Sequence, residues 1–258
     1  MKIAVLVSIG RHPVSGVARY SRNDAAALTL ALPLATTHGA TLDVLHAGDP
    51  SNAALKEYLA LGARSVEVID MPPDADPAPQ LAARLRGYEL VLTGTRGEGG
   101  FDSGMLPYCV AHALGVPLVS SAVDLSLSGA CAQVRQFMPK GLRRRLEVRL
   151  PALIAVHPLA NAATSYAYAR LREGTIECAA PAANGQHGTA ADQSAWTIRP
   201  ATAKPVRLAA AEKRSGHARM LSATTTESRG GSVVIEGSSV EKAQVILAYL
   251  REHQLVDY

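Results

Sequence analysis

Short, uninterrupted apolar runs separated by helix-like stretches constrain this chain more than any other feature. Residues 3–9, 41–47, 65–69 and 88–93 are such runs, and turn or cap residues flank them. A strand that is apolar throughout has both faces covered, as in a parallel sheet. Ala- and Leu-rich stretches at 25–37, 52–61 and 80–86 lie between them and read as helices. Asn23 and Asp24 read as the cap of the first helix. Pro33 should kink or split that helix, and residues 10–20 read as a loop. The alternation predicts an α/β fold, a doubly wound parallel sheet with helices on both faces. A hydrophobic content of 48% with only 4% aromatic residues suits Ala/Leu helices packed on a sheet.

The run at 88–93 leads into Gly94, Gly97, Gly99, Gly100 and Gly104, and then into another apolar, helix-like run. Asp102 or Ser103 is placed to cap that helix. Glycine lets a ligand approach the main chain, and the free N–H groups of a first helical turn favour an anion such as phosphate. Two readings stand at this point: a phosphate cradle, or a long connection without a ligand. Parallel sheets bind ligands outside the carboxyl ends of their strands. That rule gathers residues 8–20, 48–51 and 94–104 at one edge.

The later chain adds an apolar stretch at 118–127 and an alternating hairpin, 131–138 with 142–150, around Pro139-Lys140-Gly141. A buried strand follows at 151–156. Residues 161–172 show no strong apolar face. Residues 178–205 are rich in Ala, Gly, Thr, Gln and Pro and lack a core-forming pattern, so they need another surface to lie on. A short strand is expected at 232–236. Ser238-Ser239 then caps a helix at 240–253, with Glu241 near its start and Val240, Ala243, Ile246, Leu247 and Leu250 as its packing face. The expected organisation is an α/β domain over 1–177 and an extended C-terminal arm over 178–258.

Several function classes fall away. The formal net charge of +4 is modest. Arg143-Arg144-Arg145 lacks interleaved stacking aromatics, so no nucleic-acid partner is expected. Cys109, Cys131 and Cys178 form no CxxC pair, which fits a reducing compartment, and Cys109 reads as an inert thiol on the buried side of its helix. Residues 2–7 are too short an apolar run for a leader, and no run suits membrane insertion, so a cytoplasmic location is expected. The eight histidines are scattered without metal-ligand spacing. There is no GxSxG elbow, no Walker A motif and no GxGxxG fingerprint. Ser8-Ile9-Gly10-Arg11-His12-Pro13 does not match the SGGxDS-like loop of ATP pyrophosphatases. With no catalytic constellation, nucleotide binding without bond-making chemistry is the expectation.

The pieces also resemble the β subunit of electron transfer flavoprotein, over nearly the whole chain. KIAVLVSI looks like that family's opening strand, and Asn23-Asp24-Ala25-Ala26-Ala27-Leu28 is similar to the start of its first helix. Gly48-Asp49-Pro50 followed by Leu59-Ala60-Leu61-Gly62-Ala63 matches its second unit. Residues 90–94 and Asp102-Ser103-Gly104 look like its nucleotide loop. Leu150-Pro151-Ala152-Leu153 matches the strand before its partner-recognition loop, and Ile176-Glu177 follows in order. The resemblance implies an adenine nucleotide α-hydrolase-like fold and a heterodimer with an α subunit that holds most of the FAD. It implies a structural AMP in this chain; in bifurcating relatives a second FAD lies there. The AMP-site residues carried over are Leu6, Ser21, Arg22, Asn23, Asp24, Ser51, Gly97, Gly99, Gly100, Asp102, Ser103, Gly104 and Met105. The recognition loop falls on about 161–172, with Tyr166, Tyr168 and Leu171 as candidate anchors. Implied partners are a flavoprotein dehydrogenase as electron donor and a membrane quinone oxidoreductase as acceptor. Ser8, Pro13 and Asn23 depart from the family's flavin-side pattern, which points to a divergent branch. The residues alone also allow a universal-stress-type homodimer that binds adenine nucleotide.

Overall fold

A computed structural model of the chain describes residues 1–72, 75–98, 104–181, 215–217, 220, 237–252 and 256. The fold divides into two compact units, Met1–Ala195 and Trp196–Tyr258.

The first unit is built on a nine-stranded sheet. Five parallel strands form its centre: β1 (Lys2–Leu6), β4 (Thr41–Gly48), β5 (Ser65–Asp70), β6 (Leu90–Gly94) and β10 (Ala152–Val156). The order is β11-β5-β4-β1-β6-β10-β7-β8-β9, where β11 is Thr175–Ala179, β7 Leu118–Ser128, β8 Cys131–Phe137 and β9 Arg143–Arg149. β11 and β7 also join in parallel, while β8 and β9 extend the sheet antiparallel. The doubly wound expectation therefore holds, and the alternating hairpin forms the antiparallel flank.

Apolar strands have two covered faces, and β1 shows how. Ile3, Val5 and Val7 point into a core shared with α1 (Arg22–His38) and α2 (Leu55–Ala60), through residues such as Leu28, Leu55 and Tyr58. Ala4 and Leu6 point the other way, into a core shared with α3 (Pro77–Arg84) and α4 (Leu106–Leu114), through Leu81, Leu85 and Val110. This period of two along one strand fixes the register of the whole layer.

Local details depart from the sequence reading. α1 starts earlier than expected. Its N-cap is Ser21, whose hydroxyl accepts from the Asp24 N–H at 3.4 Å, so Asn23 and Asp24 lie inside the helix and are buried. Pro33 leaves α1 a single helix of 17 residues. Residues 10–20 are not a plain loop: β2 (Ile9–Arg11) and β3 (Ala18–Tyr20) pair as a small antiparallel hairpin. α3 starts at Pro77, capped by Asp76, whose carboxylate accepts from the Ala78 N–H at 3.0 Å. The N-cap of α4 is Met105, which offers no capping oxygen; the expected caps Asp102 and Ser103 lie outside the described residues. Cys109 is exposed, because Val110 and Ala111 take the buried positions of α4.

The second unit contains α6 (Ser239–Glu252). It opens with the expected capping box: the Glu241 carboxylate accepts from the Ser238 N–H at 2.7 Å, and the Ser238 hydroxyl accepts from the Glu241 N–H at 3.3 Å. None of its residues is buried, and Val240 and Ile246 are exposed. The strand expected at 232–236 and nearly all of 178–205 lie outside the described residues.

One close approach sets the geometry of the upper rim. A Cβ on Gly94 would overlap the Asp24 carboxylate and the Asn23 side chain. Overpacking of this kind costs roughly 1–3 kcal/mol, so G94A is expected to lower the unfolding free energy by that much, seen as a lower urea midpoint with an unchanged denaturant slope.

Candidate functional site

The strand order reverses beside β1. β4 and β5 build outward on one side, and β6 and β10 on the other. In an open α/β sheet the crevice at the carboxyl ends of the strands flanking such a switch is where ligands bind. Here those ends are Leu6–Ser8 after β1 and Gly94–Glu98 after β6, with the start of α1 above them.

Asp24 ties the three together. One carboxylate oxygen accepts from the Ser8 N–H at 2.7 Å and the Ser8 hydroxyl at 2.6 Å. The other accepts from the Gly94 N–H at 2.9 Å. Complete burial nonetheless pushes the Asp24 carboxyl up to about 7, against the pull of these donors. Tyr58 closes the base. Its hydroxyl donates to the Ser8 carbonyl at 2.6 Å and accepts from the Ser21 N–H at 2.9 Å. Burial first, and the nearby Asp24 charge second, hold the Tyr58 phenol well above its ordinary range. At the end of β4, the His46 Nδ1–H donates to the Val7 carbonyl at 2.8 Å, since a carbonyl can only accept. Burial holds His46 below the usual imidazole range, so it is a satisfied neutral core histidine.

Glu98 folds into the same crevice. Its N–H donates to the Ser8 hydroxyl oxygen at 3.2 Å. Its carboxylate accepts from the Ser21 hydroxyl at 3.2 Å and from the Arg19 guanidinium at 2.9 Å. Arg19 comes from the β2–β3 hairpin, which is held in turn by the Tyr20 N–H donating to Glu57 at 2.8 Å.

The described parts of the glycine segment form a narrow base. A Cβ on Gly97 would lie 3.6 Å from Leu106, and one on Gly104 would lie 3.4 Å from the Thr95 carbonyl. Gly104 has φ +70°, a conformation that side-chain-bearing residues rarely adopt.

Of the residues singled out from sequence, the structure brings Ser21, Asn23 and Asp24 to the switch point, all buried. Gly97 lies one residue from Glu98, and Gly104 and Met105 open α4. Leu6 is buried toward the α3/α4 layer, and Arg22 is exposed. Ser51 precedes α2 by four residues; its N–H and hydroxyl both donate to Asp49, at 2.8 and 2.7 Å. Gly99, Gly100, Asp102 and Ser103 lie outside the described residues. Ser8, Arg19 and Glu98 fall within the segments 8–20 and 94–104 that the sequence placed at this edge but were not singled out as site residues, and Tyr58, inside the helix expected at 52–61, carried no local signal of its role.

Comparison of the sequence with known proteins identifies its relatives. The family described as Electron transfer flavoprotein domain matches residues 15–186. Electron transfer flavoprotein subunit beta of Chromohalobacter salexigens is 38% identical over 264 residues, which is 99% of this chain and 96% of that relative. The chain belongs to the electron transfer flavoprotein family.

Residues 161–172, where the resemblance puts a partner-recognition loop, form a described segment of the first unit. It is tied at its start by the Asn161 N–H donating to Val123 O at 3.1 Å, in its middle by the Ala167 N–H donating to Ala60 O at 2.9 Å, and just past its end by the Thr175 N–H donating to Arg64 O at 3.3 Å. Tyr166 and Tyr168 are exposed, whereas Leu171 is half-buried within α5 (Arg170–Glu173). A family-implied AMP can be tested against the residues. The α4 end of the rim suits a phosphate: Gly104 brings main chain close, and Met105 starts a helix. The α1 end presents two carboxylates, Asp24 and Glu98, and suits a neutral part of the nucleotide. Among the described residues, no group of His, Cys, Asp or Glu side chains could hold a metal, and no helix is long and apolar enough to cross a membrane.

Asp24 makes stability depend on pH with an unusual sign. Its folded value of about 7 lies above the unfolded 3.8, so the folded chain binds the extra proton between them. This contribution is fully present below the unfolded value and is lost as pH rises to about 7. Relative to D24N, the wild type is expected to lose on the order of 1–4 kcal/mol of unfolding free energy between pH 4 and 7. Chemical denaturation of both proteins across that range checks it.

Proposed function

We propose that this chain is the β subunit of a two-subunit electron carrier that moves electrons from a flavoprotein dehydrogenase to a membrane quinone reductase. The observation that carries this reading is the near-full-length likeness to a curated β subunit, on a sheet whose crevice lies at the rim the family's nucleotide would need. FAD supplies the one-electron chemistry when bound, and the α subunit holds most of it. This chain contributes shape, a nucleotide site and docking surfaces.

The nucleotide is a structural AMP. Its phosphate meets the main chain around Gly97, Gly104 and Met105, and the glycines and Asp102-Ser103 between them complete the loop. Leu6, the segment Ser21–Asp24 and Ser51 line the remaining rim. Binding of a nucleotide to the folded state alone stabilises it by mass action. The C-terminal arm packs on the α subunit, and α6 brings an uncovered apolar stripe to that contact.

Tyr166 and Tyr168 offer the dehydrogenase exposed aromatic surface on a loop tethered at both ends. Aromatic side chains on a preorganised loop are common hot spots. The half-buried Leu171 positions α5 instead of inserting into the partner.

Coexpression with the α subunit is expected to yield a yellow heterodimer that releases AMP on denaturation; a colourless homodimer would sink the reading. G104V is expected to cost the complex most of its AMP and to weaken subunit association, as read by nucleotide extraction and analytical ultracentrifugation. Y168A is expected to slow reduction by the cognate dehydrogenase about tenfold or more while the flavin spectrum stays unchanged, a loss equivalent to a hot-spot contact of at least ~1.4 kcal/mol.

A further inference from the structure

We infer that Glu98 decides which end of a nucleotide can face α1: its carboxylate closes the N-terminus of that helix to phosphate and turns the phosphate toward Gly104 and Met105. This deepens the nucleotide reading above and rests on it for the orientation, while the closure itself concerns this chain's own residues.

A helix N-terminus with a hydroxyl cap and a nearby arginine is an anion site by composition. Here the anion is internal. The Glu98 carboxylate accepts from the Ser21 hydroxyl, the N-cap of the 17-residue α1, at 3.2 Å. It pairs with Arg19 at 2.9 Å, and the Glu98 side chain is only 12% exposed. Its own N–H is fixed to the Ser8 hydroxyl at 3.2 Å, so the side chain is anchored where it enters the crevice. Gly10 makes the room: a Cβ there would overlap the Glu98 carboxylate. The two groups suited to a phosphate, Ser21 Oγ and the Arg19 guanidinium, are thus spent on Glu98. The same Ser21 hydroxyl also holds the Asp24 N–H at 3.4 Å, so it is committed within the helix start. A phosphate arriving beside α1 would have to displace Glu98 and then lie against acidic oxygen in a poorly solvated crevice. An uncharged hydroxyl-bearing group, such as a ribose, meets no such penalty, because a carboxylate accepts readily from hydroxyl donors.

Inorganic phosphate tests the closure without a nucleotide. The complex with the α partner, depleted of bound nucleotide by partial unfolding and refolding, is titrated with phosphate by isothermal calorimetry as wild type, E98Q, E98D and E98Q/R19Q. E98Q is expected to bind phosphate at least tenfold more tightly than wild type. E98D, which keeps the charge, is expected to stay at the wild-type level, and E98Q/R19Q to fall back to it. Wild type binding phosphate as tightly as E98Q, E98D gaining as much as E98Q, or a gain that survives loss of Arg19 would each overturn the inference. Nucleotide extraction from the same preparations before depletion reports separately on the AMP reading.

Discussion

The upper rim of this sheet is held by one carboxylate. Asp24 sits in the first turn of α1 and accepts hydrogen bonds from both strand ends at the point where the strand order reverses. Two parallel strands and a helix start would otherwise leave unpaired main-chain N–H groups in a buried place, which is costly. Gly94 lets the helix come this close, because any side chain there would strike Asp24. The arrangement spends free energy on a buried acid and gains a rigid crevice. No buried side-chain polar atom among the described residues lacks a partner.

Hydrogen bonds tie this rim to several elements at once. Ser8, Ser21, Tyr58, Glu98 and Arg19 form one connected network running from β1 through α1 and α2 to the β2–β3 hairpin. The 161–172 segment draws on the same body, since the Ala60 carbonyl that holds Ala167 lies in α2, two residues beyond Tyr58. Under the proposed reading, a nucleotide that stabilises the crevice would in this way also steady the 161–172 segment.

The fold was largely legible from sequence because strands covered on both faces must be apolar throughout, and Ile3–Leu6 or Ala152–Val156 have no other reading. Caps were less legible. Ser21, Asn23 and Asp24 are all good capping residues, and only packing against Gly94 decides that Asp24 turns inward and Ser21 takes the cap. The β2–β3 hairpin escaped notice because three-residue strands carry too little periodicity. Thr175–Ala179 was missed as a strand for a related reason: it lies at the sheet edge, half exposed, and lacks the continuous apolar run of the centre. Glu98 looked like one polar residue in a flexible glycine stretch. Its role depends on Gly10 and Arg19, some eighty residues away in sequence, and no local pattern carries that information.

The central claim is that the switch-point crevice holds a nucleotide with its phosphate away from α1. The most direct measurement is a crystal structure of the chain with its α partner, at a resolution that places the phosphorus atom. The account requires phosphorus beside the Gly104 and Met105 amides, with Glu98 still paired to Arg19. Phosphorus at the Ser21 hydroxyl, with Glu98 swung out to solvent, would contradict it.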